Sequence, residues 1–293
     1  MIPTVRGTTR VVGVWGYPVK HSASPAMHNA AFAALGLDWV YVPFEVAPDR
    51  VAEAVAGIRA LNLVGVNVTI PLKELVPPHL DDLTERASAL GAVNTIIHRD
   101  GTLIGDSTDG PGFLTALEHA GIGVGSGSNV VVLGAGGSAR ALVRALTEAG
   151  ASVTLANRNQ ERASALAAEV ALAPVTVIPL TEDAVGAALV GADVLVNTTS
   201  VGMYPETDAL PPVPADALAP SVFVADLIYN PAETRLLSLA RSRGCRTQNG
   251  IEMLVRQGAI SFHHWTGIHP PVDVMRQAVE ETLGLTAKAR EHR

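Results

Sequence analysis

The sequence predicts a two-domain α/β protein, with an N-terminal substrate-binding α/β lobe and a Rossmann-type dinucleotide-binding domain. Three observations carry this. In NVVVLGAGGSAR (129–140) an apolar run, a glycine cluster and a helix-forming stretch follow one another. That is the strand–turn–helix order of a phosphate-binding βα unit. Strand-like and helical segments alternate through most of the 293 residues, as helices covering a mostly parallel sheet require. The chain is 48% hydrophobic but only 4% aromatic. Its core must therefore be mostly Val, Leu, Ile and Ala, which suits strands buried on both faces.

The elements follow in order. VVGVWG (11–16) reads as a strand. A helix is predicted over 25–35, with Ser24 as N-cap and Pro25 in the first helical position. Strand 40–46, helix 49–61, strand 63–70 and helix 84–90 come next. VNTIIHRDGTLIGDST reads as a hairpin turning on Asp100-Gly101. From Asp109 a helix to about residue 120 leads through the Gly/Ser-rich joint GIGVGSGS into the glycine-loop strand. Strand 151–158, helix 160–170, strand 175–180, helix 182–190, strands 192–200 and 222–230, and helix 233–243 complete the middle of the chain. Two closing helices, 251–265 and 272–283, have no strands of their own. They are expected to return and cover the N-terminal sheet. Residues 1–110, completed by 250–293, then form the substrate-binding domain, and 111–249 the dinucleotide-binding domain. Two such lobes are expected to flank a cleft, a preferred place for a small-molecule substrate.

Composition narrows the function classes. The net charge is −7, with no long basic run. Nucleic acid is not an expected partner, because phosphate binding needs clustered Lys and Arg. The single cysteine, Cys245, rules out a disulfide framework and a Cys-based zinc site, and it fits a reducing cytoplasm. MIPTVRGTTR lacks the apolar segment of a signal peptide. No uninterrupted apolar stretch approaches 18 residues, so no membrane span is predicted. The N-terminal arm and the tail KAREHR are expected to fray. His263, His264 and His269 cluster without a metal-ligand spacing; they read as helix-surface or core histidines, and no metal is predicted. No G-x-S-x-G or Cys–His context points to an acyl-transfer hydrolase.

Several segments carry candidate chemistry. Gly134, Gly136 and Ala139 fill the fingerprint G-x-G-x-x-G/A, in which backbone N–H groups and a helix N-terminus meet a pyrophosphate. About 20 residues on, where an NAD site would place Asp or Glu, stand Asn157 and Arg158. No carboxylate there repels a 2′-phosphate, and a guanidinium is available to pair with one, so the expected cofactor is NADP. NVTIPLKE (67–74) ends a strand in polar residues and then Lys73, a group able to move a proton if its surroundings tune it; a plain exposed lysine is the bland alternative. In GDSTDG (105–110), Asp106 and Asp109 precede the linking helix. Asp109 could hold Lys73 in place, or simply cap that helix. Ser22 and Ser24, on the loop after the first strand, could bind a substrate carboxylate. Asn94 and Thr95 bring polar groups into an apolar strand. TTSVGMYP (198–205) offers small and hydroxyl residues where a nicotinamide could approach.

Taken together, GYPVKHSASPAMHNAAF, GVNVTIPLKE, LGAVNT, GDSTDG, VLGAGGSAR, NR, NTTSVGM, DLIYNP and NGIEMLVRQGAISFHHWTG resemble the shikimate dehydrogenase family with its quinate/shikimate relatives. The resemblance covers about residues 11–283. It implies Lys73 and Asp109 as the catalytic pair, and Ser22 and Ser24 as ligands of the substrate carboxylate. Thr69, Asn94 and Gln257 would bind or adjoin the ring hydroxyls, with Tyr229 near the same site. Gly134, Ala135, Gly136, Gly137 and Ser138 would form the phosphate loop. Asn157 and Arg158 would clamp the 2′-phosphate, and Thr198, Met203 and Gly250 would lie near the nicotinamide. Two departures stand out. Ser107 occupies a place where the family often has Asn, which could loosen the loop. Asn159 stands where many NADP-dependent members have Thr or Ser, although its amide can still donate.

The implied activity is reversible, NADP-dependent reduction of 3-dehydroshikimate to shikimate, in a cytoplasmic monomer or homodimer. A quinate/shikimate dehydrogenase with relaxed substrate or NAD use is the nearest alternative. A catalytically silent NADP-binding sensor, and a cofactor module serving a partner protein, are alternatives that the Lys73–Asp109 pair and the substrate-lobe motifs weigh against.

Overall fold

The structure, a computed structural model, describes residues 4–285; the tail KAREHR lies outside them. The chain divides into two compact units. The first holds the residues up to Thr108 together with those from Leu254 onward, and the second is Asp109–Met253.

The first unit is built on a six-stranded sheet. Its strands are β1 (Arg10–Gly16), β2 (Trp39–Glu45), β3 (Gly65–Val68), β4 (Asp82–Leu83), β5 (Thr95–Arg99) and β6 (Thr102–Asp106). The order across the sheet is β2-β1-β3-β5-β6-β4. β1 runs parallel to β2 and β3, and β5 runs antiparallel to both β3 and β6. The ends of β1, β3 and β6 and the start of β5 therefore share one edge of the sheet. The β5–β6 hairpin turns where Asp100-Gly101 predicts it, with φ of 51° and 85°, as a primed two-residue turn requires. Helices α1 (Ser24–Ala34) and α2 (Val51–Ala60) follow β1 and β2, and α3 (Glu85–Leu90) follows β4. Thr84 caps α3 by accepting from the Ala87 N–H. Val, Leu, Ile and Ala dominate the core between α2, α3 and the sheet, with Trp15 as its large aromatic.

Ser24 does not cap α1. Ala23, already in the helical region at φ −84° and ψ −4°, holds the cap position without a side-chain bond. The chain enters the helix one residue early, and Ser24 is buried at 7% exposure.

The second unit contains α4 (Asp109–His119), β7 (Asn129–Leu133), α5 (Gly137–Glu148), β8 (Ser152–Asn157), α6 (Gln160–Val170), β9 (Val175–Pro179) and α7 (Glu182–Leu189). It continues with β10 (Val194–Asn197), β11 (Phe223–Asp226), α8 (Arg235–Ser242) and β12 (Thr247–Gln248). All six strands are parallel in the order β9-β8-β7-β10-β11-β12. Numbered within the unit, this is the 3-2-1-4-5-6 order of a dinucleotide-binding sheet. Its topological switch lies between β7 and β10, where such sheets bind ligands.

β3, β10 and β11 are markedly shorter than the sequence suggests. β10 stops at Asn197 because the Asn197 side chain takes over, accepting from both the Thr199 N–H and hydroxyl. β11 stops at Asp226, whose carboxylate accepts the Ile228 N–H. The two-residue edge strands β4 and β12 are too short to leave a periodic signal.

The last elements are α9 (Gly250–Thr266) and α10 (Val272–Thr282). The chain crosses from the second unit to the first within α9, and α10 packs on α1. Among the described residues, no helix is long and apolar enough to cross a membrane.

Candidate active site

In the first unit the candidate residues collect at the shared sheet edge. Ser22 and Ser24 lie on the loop after β1, and the Ser22 hydroxyl accepts the Ser24 N–H at 3.3 Å. Thr69 follows β3 and donates its N–H to Trp15 O at 2.8 Å, which holds the two strand ends together. Lys73 is half-buried in the turn beyond Thr69. Its carbonyl accepts the Val93 N–H at 2.9 Å, so the backbone of Lys73 is pinned beside the residue that precedes Asn94.

Asn94 is 3% exposed and bridges three segments. Its N–H donates to Asp106 O, and its carbonyl accepts from the Val68 N–H. Its Oδ1 accepts the Thr108 N–H at 2.8 Å. Its amide donates to Thr108 Oγ1 at 2.9 Å and to Gln257 Oε1 at 3.4 Å. The structure thus joins Asn94 and Gln257, which stand 163 residues apart in sequence.

The loop carrying Ser107 is tied at both sides. Thr108 is held by Asn94, and Asp106 is fully buried under a ring of donors. Thr84 Oγ1 and Arg86 Nε donate to Asp106 Oδ1 at 2.6 Å each, as does the Ser107 N–H at 2.8 Å. His264 Nε2 lies 2.8 Å from Asp106 Oδ2, and Arg86 also bonds that oxygen. Burial opposes the charge on Asp106, but bonds from His264, Arg86 and Thr84 outweigh it and hold the carboxyl well below the usual carboxylate range. The Ser107 departure accordingly leaves an anchored loop.

The reading of the three histidines as helix-surface or core residues did not foresee a partner for His264. His264 pairs with Asp106, whereas His263 stacks on His269 with ring centroids 4.2 Å apart. The signal was available, because Gln257, Ser261 and His264 stand at i, i+4 and i+7 on one helix face. Among the described residues, no three His, Cys, Asp or Glu side chains gather as a metal site would need.

In the second unit, Asp109 is the first residue of α4 and is buried. The glycine loop follows β7. Gly134 has φ 100°, and a Cβ there would meet Thr198 Oγ1 and Thr199 Cγ2 at 2.9 Å; only glycine fits. Thr198 in turn donates its hydroxyl to Leu133 O at 2.7 Å, across the switch point. Ala135 is buried, while Gly136, Gly137 and Ser138 are partly open. A Cβ on Gly136 or Gly137 would meet nothing within 4 Å.

Helix α5 begins at Gly137 without a side-chain cap, whereas α6, α7 and α8 are capped by Asn159, Thr181 and Thr234. Uncapped N–H groups beneath an open glycine loop suit a pyrophosphate. At the end of β8, Asn157 donates to Asn159 O at 2.8 Å and Arg158 is exposed. Asn159 uses its Oδ1 to cap Arg162 N–H, which leaves the donor side of its amide out of the cap. These groups fit an adenosine 2′-phosphate carrying NADP.

The far side of this sheet is held by Asp226. Its carboxylate accepts from the Asn197 amide at 3.0 Å and from the Thr234 hydroxyl at 2.7 Å. Burial pushes this carboxyl up, only partly offset by the bonds from Thr234, Ile228 and Asn197. The loops bearing Thr198 and Met203, and Tyr229, leave from the two strand ends it locks. Met203 is exposed and Tyr229 half-buried. Gly250 donates its N–H to Ile228 O, and a Cβ there would lie 2.0 Å from Leu227 O. Close backbone approach alone therefore demands glycine at 250.

Comparison with known proteins agrees with this architecture. Residues 14–96 match the family model of the shikimate dehydrogenase substrate-binding domain, 118–205 that of shikimate/quinate 5-dehydrogenase, and 250–280 that of the shikimate 5′-dehydrogenase C-terminal domain. A shikimate dehydrogenase (NADP(+)) of Symbiobacterium thermophilum is 51% identical over 286 residues, which is 96% of this chain and 97% of the relative. The chain belongs to the shikimate dehydrogenase family. Among solved members of the family, a shikimate dehydrogenase in complex with NADP+ superposes with a TM-score of 0.90 at 41% identity, covering 96% of this chain and 98% of that one. The Thermus thermophilus enzyme in complex with NADP(H) and shikimate gives 0.84 at 39%, covering 94% and 100%.

Proposed function

We propose that this protein is an NADP-dependent shikimate dehydrogenase, interconverting 3-dehydroshikimate and shikimate. In this reading residues 1–110, completed by 250–293, bind the substrate, and 111–249 bind the cofactor. The observation that carries it is the sheet edge of the first unit. There Ser22, Ser24, Thr69, Lys73, Asn94 and Gln257 converge on one side of the β1–β3–β5 strand ends.

Ser22 and Ser24 bind the substrate carboxylate. Thr69, Asn94 and Gln257, with Tyr229 beside them, orient the ring through its hydroxyls. Bound in the glycine loop, NADPH supplies the hydride for the ketone carbon, and NADP+ accepts it in reverse. Lys73 Nζ donates the proton to the ketone oxygen as that oxygen becomes a hydroxyl, and removes it in the opposite direction. Asp109 orients the lysine and supports its positive charge. Gly134, Ala135, Gly136, Gly137 and Ser138 bind the pyrophosphate, and Asn157 and Arg158 bind the 2′-phosphate. Thr198, Met203 and Gly250 shape the nicotinamide end.

The same reading takes the protein as a cytoplasmic monomer or homodimer. Curated relatives at 43–51% identity carry the name shikimate dehydrogenase (NADP(+)), which favours shikimate over quinate. The test is a steady-state comparison of shikimate and quinate with NADP+ and NAD+. Shikimate with NADP+ is expected to give the highest kcat/KM; faster turnover of quinate, or of NAD+, would overturn the assignment.

A further inference from the structure

Asp106 closes β6 three residues before Asp109, the proposed partner of the catalytic lysine. The proposed function makes no use of its carboxylate, although that group is fully buried and gathers donors from two distant helices. Thr84, the cap of α3, and Arg86, in its first turn, both bond Oδ1 at 2.6 Å. Arg86 also bonds Oδ2, where it meets His264 Nε2 of α9 at 2.8 Å. Burial works against this charge, and the bonds from His264, Arg86 and Thr84 overcome it. An ionised carboxylate only accepts, so His264 Nε2 carries the hydrogen of this bond.

The carboxylate also shapes the turn that follows it. Ser107 and Thr108 are buried and lie beyond the end of the β6 ladder. Their N–H groups go to side chains instead. Ser107 donates to Asp106 Oδ1 and Thr108 to Asn94 Oδ1, each at 2.8 Å. Two side-chain oxygens thus set the direction of the turn, and Asp109 is the next residue. Asn94 is tied to the same strand end, donating its N–H to Asp106 O at 3.0 Å. Helix α9 braces both oxygens' owners. Its Gln257 bonds the Asn94 amide, and His264, seven residues on along one helix face, bonds Asp106. Hydrogen bonds are directional where apolar packing is not, so such a set fixes orientation as well as position.

We propose that His264 and Arg86 are positioning residues, acting through the Asp106 carboxylate on the turn that presents Thr108 and Asp109. They aim this turn before substrate arrives. The aim matters for rate, because misplacing a catalytic group by about 1 Å can cost about 100-fold. The inference rests on the role proposed above for Asp109.

His264→Leu removes the donor, and His264→Gln restores an N–H at similar reach. In His264→Leu the kcat for shikimate oxidation is expected to fall at least about fivefold, with the KM for NADP+ within about twofold of the parent. His264→Gln should bring kcat back to within about twofold of the parent. Because His264 acts on the turn bearing Asp109, His264→Leu should cost less than about twofold in an Asp109→Asn background. A merely structural role would lower the melting temperature and leave kcat at lower temperatures unmoved. If His264→Leu does not fold, Arg86→Lys reads the same constants with the same expectation, since an ammonium keeps the charge without the two-pronged grip of the guanidinium. The proposal is overturned by a kcat within about twofold of the parent in His264→Leu, by equal losses in the Leu and Gln variants, or by an undiminished loss in the Asp109→Asn background. A parent enzyme inactive on shikimate overturns the functional reading and this inference with it; an active parent with an unmoved kcat in the variant overturns this inference alone.

Discussion

The first unit presents side chains and the second presents backbone. At the sheet edge of the first unit, Asn94, Thr108 and Gln257 are locked to one another by bonds between side chains. At the switch point of the second, the decisive features are a glycine at φ 100°, an uncapped helix start and strand ends that turn sharply. A ring with several hydroxyls and a carboxylate must be told from its analogues, and directional side chains do that. A pyrophosphate is the same in every dinucleotide, and backbone N–H groups suffice for it. At Asn157 and Arg158 the second unit commits side chains to the choice between the two dinucleotides.

The largest expected effect breaks the chemistry while sparing both binding surfaces. Lys73→Ala should lower kcat by at least about 100-fold, the usual loss with an acid–base group. Equilibrium titration should find shikimate and NADP+ still bound. Turnover near that of the parent would remove Lys73 from its role. The next effect falls on the charged member of the proposed 2′-phosphate clamp. Arg158→Ala should raise the KM for NADP+ about tenfold, the scale of a lost charge-assisted contact, and leave that for NAD+ unmoved. Equal changes for both cofactors would mean that Arg158 does not read the 2′-phosphate.

Backbone construction makes a different kind of prediction. Gly134→Ala places a Cβ 2.9 Å from Thr198 and Thr199 on a backbone of positive φ. Strain of this kind costs about 1–3 kcal/mol. The melting temperature should fall by several degrees and the KM for NADP+ should rise, while isothermal titration of shikimate should be unchanged. A variant that melts with the parent would show that the loop relaxes freely.

The same contrast explains what was legible beforehand. Backbone sites write themselves into contiguous sequence: VLGAGGSAR needs its glycines next to one another, and Asn157-Arg158 falls at the expected distance. The alternating elements were equally plain, down to the Asp100-Gly101 turn. Side-chain sites are assembled from distant segments. Lys73, Asn94 and Gln257 were found because their motifs resemble a known family. The bonds around them, Asn94 to Gln257 and His264 to Asp106, span 163 and 158 positions and leave no local pattern. Edge strands of two residues are too short for a periodic signal, and the ends of β10 and β11 were obscured because side chains of Asn197 and Asp226 replace the strand ladder there.

Asp106 in the first unit and Asp226 in the second are both buried, and the two are treated oppositely. Asp106 receives Arg86 and His264 as well as Thr84, and its carboxyl is held below its ordinary value of 3.8. The folded state therefore binds a proton less readily than the unfolded one. Its contribution to stability is present above about pH 3.8 and is lost as the pH falls through the depressed value. Asp106→Asn should lower the melting temperature by a few degrees at pH 7, and by less at pH 3. An equal drop at both values would show that shape and not charge is responsible.

Asp226 has only neutral donors, and burial raises its carboxyl above 3.8. The folded state binds this proton more readily, so the sign reverses. Its contribution is full below the unfolded value and lost as the pH rises through the raised one, leaving a charge at neutrality with no cation to offset its burial. Asp226→Asn removes that cost. It still accepts the Asn197 amide and the Ile228 N–H through Oδ1, and the Thr234 hydroxyl can rotate to accept from the new amide. The melting temperature at pH 7 should thus stay within a degree or two of the parent or rise. Thermal denaturation of the two asparagine variants across pH 3–8 separates the cases. A loss for Asp226→Asn at pH 7 as large as that for Asp106→Asn would mean that the bonds from Thr234, Ile228 and Asn197 outweigh burial, and that the second unit too depends on a charged side chain.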